Sequence, residues 1–277
     1  MVLNYACIAP HGSDLIPRLA KPTEKRFRKT REGMRTLARN IEAVNPDTIV
    51  IASPHSLRLV ERIAVVVTEN STGTLRTSPK RIVSLTARCD VELAQELLGE
   101  AKALGLPVVG ANYGTFEGPT SDMPMDWGTL VPLWFVLREK RLRARIVIVA
   151  PSREIPIEQN VGFGRVLAKV LERKRRRKFV FIASADQAHT HSKSGPYGFN
   201  RAGSKFDQLV IRAIEGNRIE SLIGLEEDFV DDAKPDSLWQ MAILEGILRH
   251  VKMRPTLYSY EVPTYYGMIC AGFERVQ

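Results

Sequence analysis

The hydrophobic positions of this chain form short, continuous apolar runs, separated by longer stretches with helical spacing. The runs are typical of strands buried on both faces and lie at residues 3–9, 48–53, 62–68, 107–110, 145–150 and 178–184. Helical patterns lie between several of them, at residues 24–43, 90–104, 128–139 and 157–173. Buried strands that alternate with helices predict the α/β class, with a mostly parallel central sheet flanked by helices.

The last third of the chain has a different pattern. It is mainly helical, at residues 203–215, 217–223 and 236–250, and then turns into two strand patterns, 255–262 and 265–274. Pro263 and Thr264 separate these two patterns, which predicts a C-terminal antiparallel hairpin. No linker rich in Gly, Ser or Pro interrupts the pattern, so residues 1–277 are expected to form a single domain. Two long irregular loops, 112–128 and 190–200, are expected to be functional.

The composition is typical of a globular protein and favours a location in the cytoplasm. The 277 residues are 44% hydrophobic and 26% charged, and no apolar run is long enough to span a bilayer, so no membrane partner is expected. The N-terminus lacks the basic region of a secretory signal. Cys7, Cys89 and Cys270 are few, distant and odd in number, which favours a reducing, cytoplasmic setting.

The net charge of +9 raises the question of a nucleic-acid partner. Much of the excess lies in three clusters, at residues 21–31, 140–145 and 172–178. The last two end predicted helices, where cations complement the helix dipole, and no aromatic residues interleave them as base stacking would require. A nucleic-acid role is therefore not expected, although RNA binding through residues 172–178 stays open as an alternative. A basic surface would also attract small anionic substrates.

Histidines follow the apolar strands in an unusual pattern. His11 and His55 come directly after Pro10 and Pro54 at the ends of two predicted strands, and His189 and His191 follow a third. Only His250 lies elsewhere, in a helical stretch. Ligands of open parallel sheets gather at the carboxyl ends of the strands, so His11, His55 and His189 are expected to face one crevice and to form a shared metal site.

The identity of the metal depends on the remaining ligand. Two histidines and one carboxylate favour non-haem Fe(II), whereas three histidines favour catalytic zinc. Asp236 and Glu245 are the acidic candidates. Asp236 would suit an ordinary helix N-cap equally well, and Glu245 would suit the solvated side of its helix.

These residues resemble those of the class III extradiol ring-cleavage dioxygenases, the superfamily of the protocatechuate 4,5-dioxygenase beta subunit, whose fold is shared by Memo-type proteins. The resemblance covers nearly the whole chain. It is carried by APHGSDLIP at residues 9–17, SPHS at 53–56, DWGTLVPLWF at 126–135, SADQAHTH at 184–191 and the helix that follows Pro235. The family fold is a single α/β domain, as the strand pattern also predicts.

The resemblance implies roles for individual residues. His11 and His55 would bind Fe(II), with Zn as the alternative metal, and Asp236 would replace the usual glutamate as third ligand, with Glu245 as the alternative. His189 matches the family's acid–base catalyst. His191 has no fixed counterpart and would support the pocket.

One position departs from the family pattern. Many members have Asp-His-Gly before the VPL segment, where this chain has Asp126, Trp127 and Gly128. Trp127 offers only an N–H donor and cannot transfer a proton. Asp126 is expected to organise the turn. The substrate pocket is expected to contain Trp127, His191, Tyr113, Tyr197 and Phe199.

The resemblance implies an enzyme that opens a catechol-like or aminophenol-like ring with O2. Its partners would be a small aromatic substrate, O2 and further copies of the same chain in a homo-oligomer. Besides RNA binding, two alternatives remain at this point: a zinc-dependent hydrolase with His11, His55 and His189 as ligands, and a non-enzymatic Memo-like binding protein.

Overall fold

The computed structural model describes residues 2–21 and 25–276. Its main sheet has eight strands: β1 (Leu3–Ala9), β2 (Thr48–Ala52), β3 (Ile63–Val66), β6 (Val108–Ala111), β8 (Arg145–Ala150), β9 (Phe179–Ser184), β10 (Met253–Glu261) and β11 (Met268–Arg275). A second, three-stranded sheet contains β4 (Asn70–Ser78), β5 (Arg81–Arg88) and β7 (Asp122–Pro124), in the order β5-β4-β7.

The main sheet has the order β10-β11-β1-β9-β2-β8-β3-β6. Strands β1, β9, β2 and β8 run parallel to one another, while β11 pairs antiparallel with β1 and with β10. A further antiparallel pair joins β3 to β8. The expected α/β class, the mostly parallel sheet and the antiparallel C-terminal strands are thus confirmed.

Helices cover both faces of this sheet. They are α1 (Arg28–Val44), α2 (Val91–Ala103), α3 (Trp127–Leu133), α4 (Ile157–Arg173), α5 (Arg201–Glu215), α6 (Glu227–Ala233) and α7 (Leu238–Leu248). Alternate residues of one strand enter separate cores, as Ala6 and Ile8 of β1 pack on one face and Tyr5 and Cys7 on the other. Burial on both faces explains why these strands read as unbroken apolar runs.

Several elements differ from the sequence prediction. The predicted helix at 128–139 is α3 followed by a π-helical turn, Trp134–Glu139, and the stretch 217–223 contains only a 3₁₀ turn, Ile219–Leu222. Residue 24, where the first predicted helix starts, lies outside the described residues. The small sheet and α6 were not predicted, because β4 consists largely of small polar residues and α6 of acidic ones.

The contact between α4 and α7 depends on two glycines. A Cβ atom at Gly164 would lie 2.0 Å from the carbonyl oxygen of Ile243, and one at Gly246 would lie 2.0 Å from the carbonyl oxygen of Val161. The two helix backbones therefore touch without side chains between them. This contact fixes the position of α7 and of the residues that lead into it.

The three cysteines form no disulfide bond. Cys7, Cys89 and Cys270 are buried and unpaired. Within the described part of the chain, no helix combines the length and the apolar character needed to cross a membrane.

Candidate metal centre

Three side chains from distant parts of the sequence converge at the carboxyl edge of the main sheet. His11 follows β1, His55 follows β2 and Asp236 precedes α7. His55 Nε2 lies 3.1 Å from His11 Nε2 and 2.7 Å from Asp236 Oδ2, and His11 Nε2 lies 3.6 Å from the same oxygen. Among the described residues, this is the one group of three such ligand atoms within 4.8 Å of one another.

The spacing of these three atoms suits a metal ion. Ligand atoms about 2.1 Å from a metal and at right angles to each other lie about 3 Å apart. The observed separations of 2.7 to 3.6 Å bracket that value. Two imidazoles and one carboxylate on one face are the donor set of non-haem Fe(II) oxygenases, and zinc also accepts such donors.

A hydrogen bond at Nδ1, the ring nitrogen that faces away from the other two ligand atoms, sets the orientation of the His11 ring. Ser184 Oγ donates to the carbonyl oxygen of Gly128, so it accepts a hydrogen bond from His11 Nδ1 at 3.0 Å. That bond places the proton of a neutral ring on Nδ1 and leaves the Nε2 lone pair directed at the site. His11 is almost completely buried, so its orientation does not depend on solvent.

The electrostatics of the cluster favour a positive charge at its centre. Burial alone would lower the pKa of His11, but the carboxylates of Asp186 and Asp236 raise it. Burial alone would raise the pKa of Asp236, but hydrogen bonds from His11 and His55 outweigh it, and the pKa is well below its usual range. A field that stabilises a protonated imidazole also stabilises a metal cation in the same place.

Asp236 does not cap the following helix. The N-cap of α7 is Ser237, whose side chain makes no capping hydrogen bond, while the carboxylate of Asp236 faces the two histidines. Its other oxygen, Oδ1, accepts from Arg153, whose guanidinium also lies 4.5 Å from the ring centre of Trp239. The N-cap interpretation of Asp236 is therefore wrong.

Asp186 is a second buried carboxylate beside His11. Its Oδ1 accepts the backbone N–H of His11 at 3.0 Å, and its Oδ2 lies 3.3 Å from His11 Nε2. Burial raises the pKa of Asp186. The residue therefore holds the backbone of His11 by a hydrogen bond and places a negative charge next to its ring.

Trp127 packs against His55. The two rings are stacked, with centres 4.0 Å apart and an angle of 26°. A Cβ atom on the next residue, Gly128, would lie 2.5 Å from Ser53 Oγ, so glycine allows the start of α3 to approach the end of β2. Asp126 is the N-cap of α3 and accepts from Thr129 N at 2.9 Å, which confirms its expected role in the turn.

His189 lies beside this group but is not part of it. Its Nδ1 donates to the carbonyl oxygen of Gln187 at 2.8 Å, so its Nε2 is free to accept a proton. Burial lowers the pKa of His189, which keeps the ring neutral near pH 7. The ring stacks on Tyr266, with centres 5.1 Å apart.

A cavity of about 1,070 Å³ opens onto the cluster. It is lined by four predicted residues, His11, His55, His189 and Asp236, and by two predicted pocket residues, Trp127 and Tyr197. The other three predicted pocket residues, Tyr113, His191 and Phe199, are not among its lining residues, and the pocket prediction is corrected for these three. Tyr113 and Phe199 are mostly exposed on their loops.

His191 has a structural partner instead. Its Nε2 lies 2.8 Å from Asp207 Oδ2, which also accepts the hydroxyl of Tyr260 at 2.9 Å. Asp207 Oδ1 accepts the backbone N–H of Ala188 at 3.0 Å. This network holds the segment that carries His189 against α5 and β10.

Glu245 is separate from the metal centre. It is buried in α7, where its carboxylate pairs with Arg249 at 2.5 Å and lines a different cavity. It is neither on the solvated side of its helix nor beside the two histidines. Both interpretations of Glu245 are therefore wrong.

Sequence reasoning missed four residues of this site: Arg153, Asp186, Tyr265 and Tyr266 all line the cavity. A signal for two of them was present. Arg153 follows β8 in the segment APSR, which has the same strand-then-proline frame as the segments with His11 and His55. Asp186 lies two residues after β9. The two tyrosines lie between β10 and β11, where no pattern pointed to the site.

Comparisons with known proteins agree with this architecture. The sequence model of the family described as the catalytic LigB subunit of aromatic ring-opening dioxygenase matches residues 5–272. Protein CA_C1420 of Clostridium acetobutylicum is 27% identical over 262 residues, which are 94% of this chain and 55% of that protein. The chain thus spans about half the length of this curated relative.

A solved structure shows the same fold. The crystal structure of the uncharacterized protein JW3007 from Escherichia coli K12 has a TM-score of 0.57, covers 97% of this chain and 99% of that one, and is 15% identical in sequence. At this identity the likeness concerns the fold alone. With a family match over nearly the whole length, this chain belongs to the family of catalytic LigB subunits of aromatic ring-opening dioxygenases.

Proposed function

We propose that the protein is a non-haem Fe(II)-dependent extradiol dioxygenase that opens a catechol-like or aminophenol-like ring with O2. The observation that carries the proposal is the convergence of His11, His55 and Asp236 in one cavity, with the free Nε2 of His189 beside them. Membership of a ring-opening dioxygenase family supports the same reaction class. The proposal thus names a metal, a class of substrate and a reaction, and each of the three can be tested by experiment.

His11, His55 and Asp236 would hold the metal, and the remaining positions would face the cavity. When bound, Fe(II) supplies the redox chemistry that activates O2 and the positive charge that acidifies a ring hydroxyl. Ser184 and Asp186 keep His11 in a single orientation. Arg153 holds one oxygen of Asp236, which leaves the other oxygen for the metal.

His189 is the proposed acid–base catalyst. With Nδ1 occupied by the Gln187 carbonyl, Nε2 is the atom that accepts a proton from a ring hydroxyl and later returns it. Its lowered pKa keeps it in the accepting form at neutral pH. Trp127 takes no proton; its ring, stacked on His55, shields that ligand from solvent at the cavity mouth.

The cavity wall suggests which rings would fit. Trp127, Tyr197, Tyr265 and Tyr266 provide flat aromatic surfaces. Arginines and carboxylates both line the cavity, so its wall can face ring substituents of either charge.

The test is an anaerobic reconstitution of the protein with Fe(II) or Zn(II), followed by O2 uptake with a panel of catechols and aminophenols. We expect one metal ion per chain and O2 uptake only with Fe(II). Hydrolysis with bound zinc and no O2 uptake would favour a zinc hydrolase. Ligand binding without turnover by the Fe(II) protein would favour a non-enzymatic binding protein.

A further inference from the structure

A second cavity lies at the opposite end of the central strands. It has a volume of about 1,080 Å³ and lies where β2, β8 and β9 begin. We call it the arginine groove; its lining residues are 47, 84–88, 137–138, 142–145 and 177. Neither the metal centre nor its cavity shares a lining residue with it.

One wall of the arginine groove is the edge of a strand. Strand β5 is the outer strand of the small sheet, and its residues 84–88 all line the groove without interruption. Successive side chains of a strand point to opposite faces, so five consecutive lining residues mean that the groove runs along the strand's backbone edge.

The hydrogen bonds at the end of β5 show which backbone groups face the groove. Cys89 N–H donates toward β4, to Glu69 O at 2.8 Å, and Asp90 N–H donates away from it, to Ile146 O at 2.8 Å. The alternation of an antiparallel ladder then directs the N–H groups of Ser84, Thr86 and Arg88 away from β4. The bridge of Cys89 with Ile146 of β8 closes this edge next to Arg88, whereas the N–H groups of Ser84 and Thr86 have no hydrogen-bond partner beyond β4 among the described residues.

The charges around this edge are positive and largely unpaired. Arg88, Arg138, Arg143 and Arg145 form no ion pair with any described residue, and all four are exposed. Arg177 is held by Asp90 and Thr48. The single acidic residue of the lining, Asp47, accepts the backbone N–H of Lys178 at 2.7 Å.

The lining favours a peptide over a nucleic acid. It contains no aromatic side chain on which a base could stack. Between the arginines it offers aliphatic side chains, Leu85, Ala87, Leu137, Leu142 and Ala144. An open strand edge binds an extended peptide through its backbone, and guanidinium groups bind carboxylates in a two-pronged geometry.

We propose that the arginine groove binds an extended acidic segment of another protein, which adds as a strand beside β5. Backbone hydrogen bonds with Ser84 and Thr86 would supply the register. Carboxylates of the segment would meet Arg143 and Arg145, and its apolar side chains would contact the aliphatic lining.

The test measures, by fluorescence anisotropy, the binding of a labelled peptide of alternating Glu and Val to the 277-residue chain. A labelled peptide of alternating Lys and Val is its counterpart. We expect saturable binding of the Glu peptide alone. Hydrogen exchange should slow at Ser84 and Thr86 when this peptide is bound. Absence of binding by the wild-type protein would overturn the proposal.

Two variant pairs separate charge from strand addition. Arg143→Ala with Arg145→Ala should weaken binding by about tenfold or more, whereas Arg175→Ala with Arg176→Ala, an equal loss of charge outside the groove, should leave it unchanged. Thr86→Pro removes an outward N–H without touching the β4 ladder and should weaken binding by about tenfold, while Thr86→Val should not.

Binding of other anions shows whether the groove selects a peptide. If tripolyphosphate or an oligo-uridine RNA binds as tightly as the Glu peptide and Thr86→Pro has no effect on any of them, the groove is a general anion site and strand addition is wrong. Unchanged melting temperatures for all four variants would show that lost binding is not lost folding.

Discussion

The two ends of the central strands carry opposite kinds of site. At the carboxyl ends, His11 is buried and donates hydrogen bonds to Ser184 and Asp186, while the buried Asp236 accepts one from Arg153. At the amino ends, the arginine groove presents exposed guanidinium groups and an open backbone edge. The side chains of the first site are fixed in position before any ligand binds. The exposed side chains of the second site are expected to become ordered only when a ligand binds.

This difference indicates what each end can bind. A metal ion needs ligand atoms fixed to within a few tenths of an ångström, which buried neighbours provide. An extended peptide needs reachable donors along a line, which a strand edge provides. Variants of the metal end test whether its geometry is held in place in this way.

The largest expected effect follows from His55→Ala. Loss of one of three ligands should abolish tight metal binding, and with it any turnover. Metal at about 100 times its Kd stabilises a folded protein by about 2.7 kcal/mol, so the wild-type protein should show a metal-dependent rise in Tm that the variant lacks. His250→Ala, at an exposed position far from the site, should keep the rise. An unchanged rise in His55→Ala would remove residue 55 from the ligand set.

His189→Asn separates chemistry from metal binding. If His189 moves protons, turnover should fall by about 10² to 10⁴, while metal content and the metal-dependent rise in Tm stay at wild-type levels. Metal analysis and O2 uptake on the same sample measure both. Loss of the metal would make residue 189 a ligand instead.

Gly246→Ala tests whether the rigidity of the metal end comes from the contact between α4 and α7. The added methyl group would meet backbone atoms of Val161 and Arg165, and we expect a loss of about 3 kcal/mol in the free energy of unfolding. Gly99→Ala, in α2 with no atom within 4 Å of the new methyl group, should be neutral or slightly stabilising. Denaturant unfolding compares the two, and equal stabilities would contradict the close contact.

The smallest effect is expected from Ser184→Ala. The variant keeps all three metal ligands but removes the acceptor that orients His11, so metal affinity should weaken by about 10- to 100-fold. Ser71→Ala removes an equally buried hydroxyl that donates to the carbonyl oxygen of Met123 in the small sheet, and serves as the matched control. Titration of the metal-free proteins measures both; equal affinities would show that His11 needs no support from Ser184.

The sequence predicted the main sheet well because its strands are buried on both faces and therefore read as apolar runs. The same topology made the convergence of His11, His55 and His189 predictable, since the carboxyl ends of neighbouring parallel strands share an edge. The small sheet escaped prediction because β4 is rich in Ser and Thr and lacks an apolar run.

The details of the site were less predictable for physical reasons. Asp236 at the start of a helix suits a cap and a ligand equally, and only the packing of α7 decides which way its carboxylate faces. Tyr113 and Phe199 lie on loops whose course depends on tertiary contacts rather than on periodicity. Arg153 was within reach, because the segment before it repeats the frame of both histidines.

The strand order has a consequence for how the site comes into being during synthesis. β1, which leads to His11, is flanked by β9 and β11, and so its neighbours are made long after it. When His11 and His55 have left the ribosome, β9, β11 and Asp236 have not yet been synthesised. The nascent chain therefore holds two imidazoles without their partners until Asp236 and β11 have also emerged, and tight metal binding has to wait for those segments.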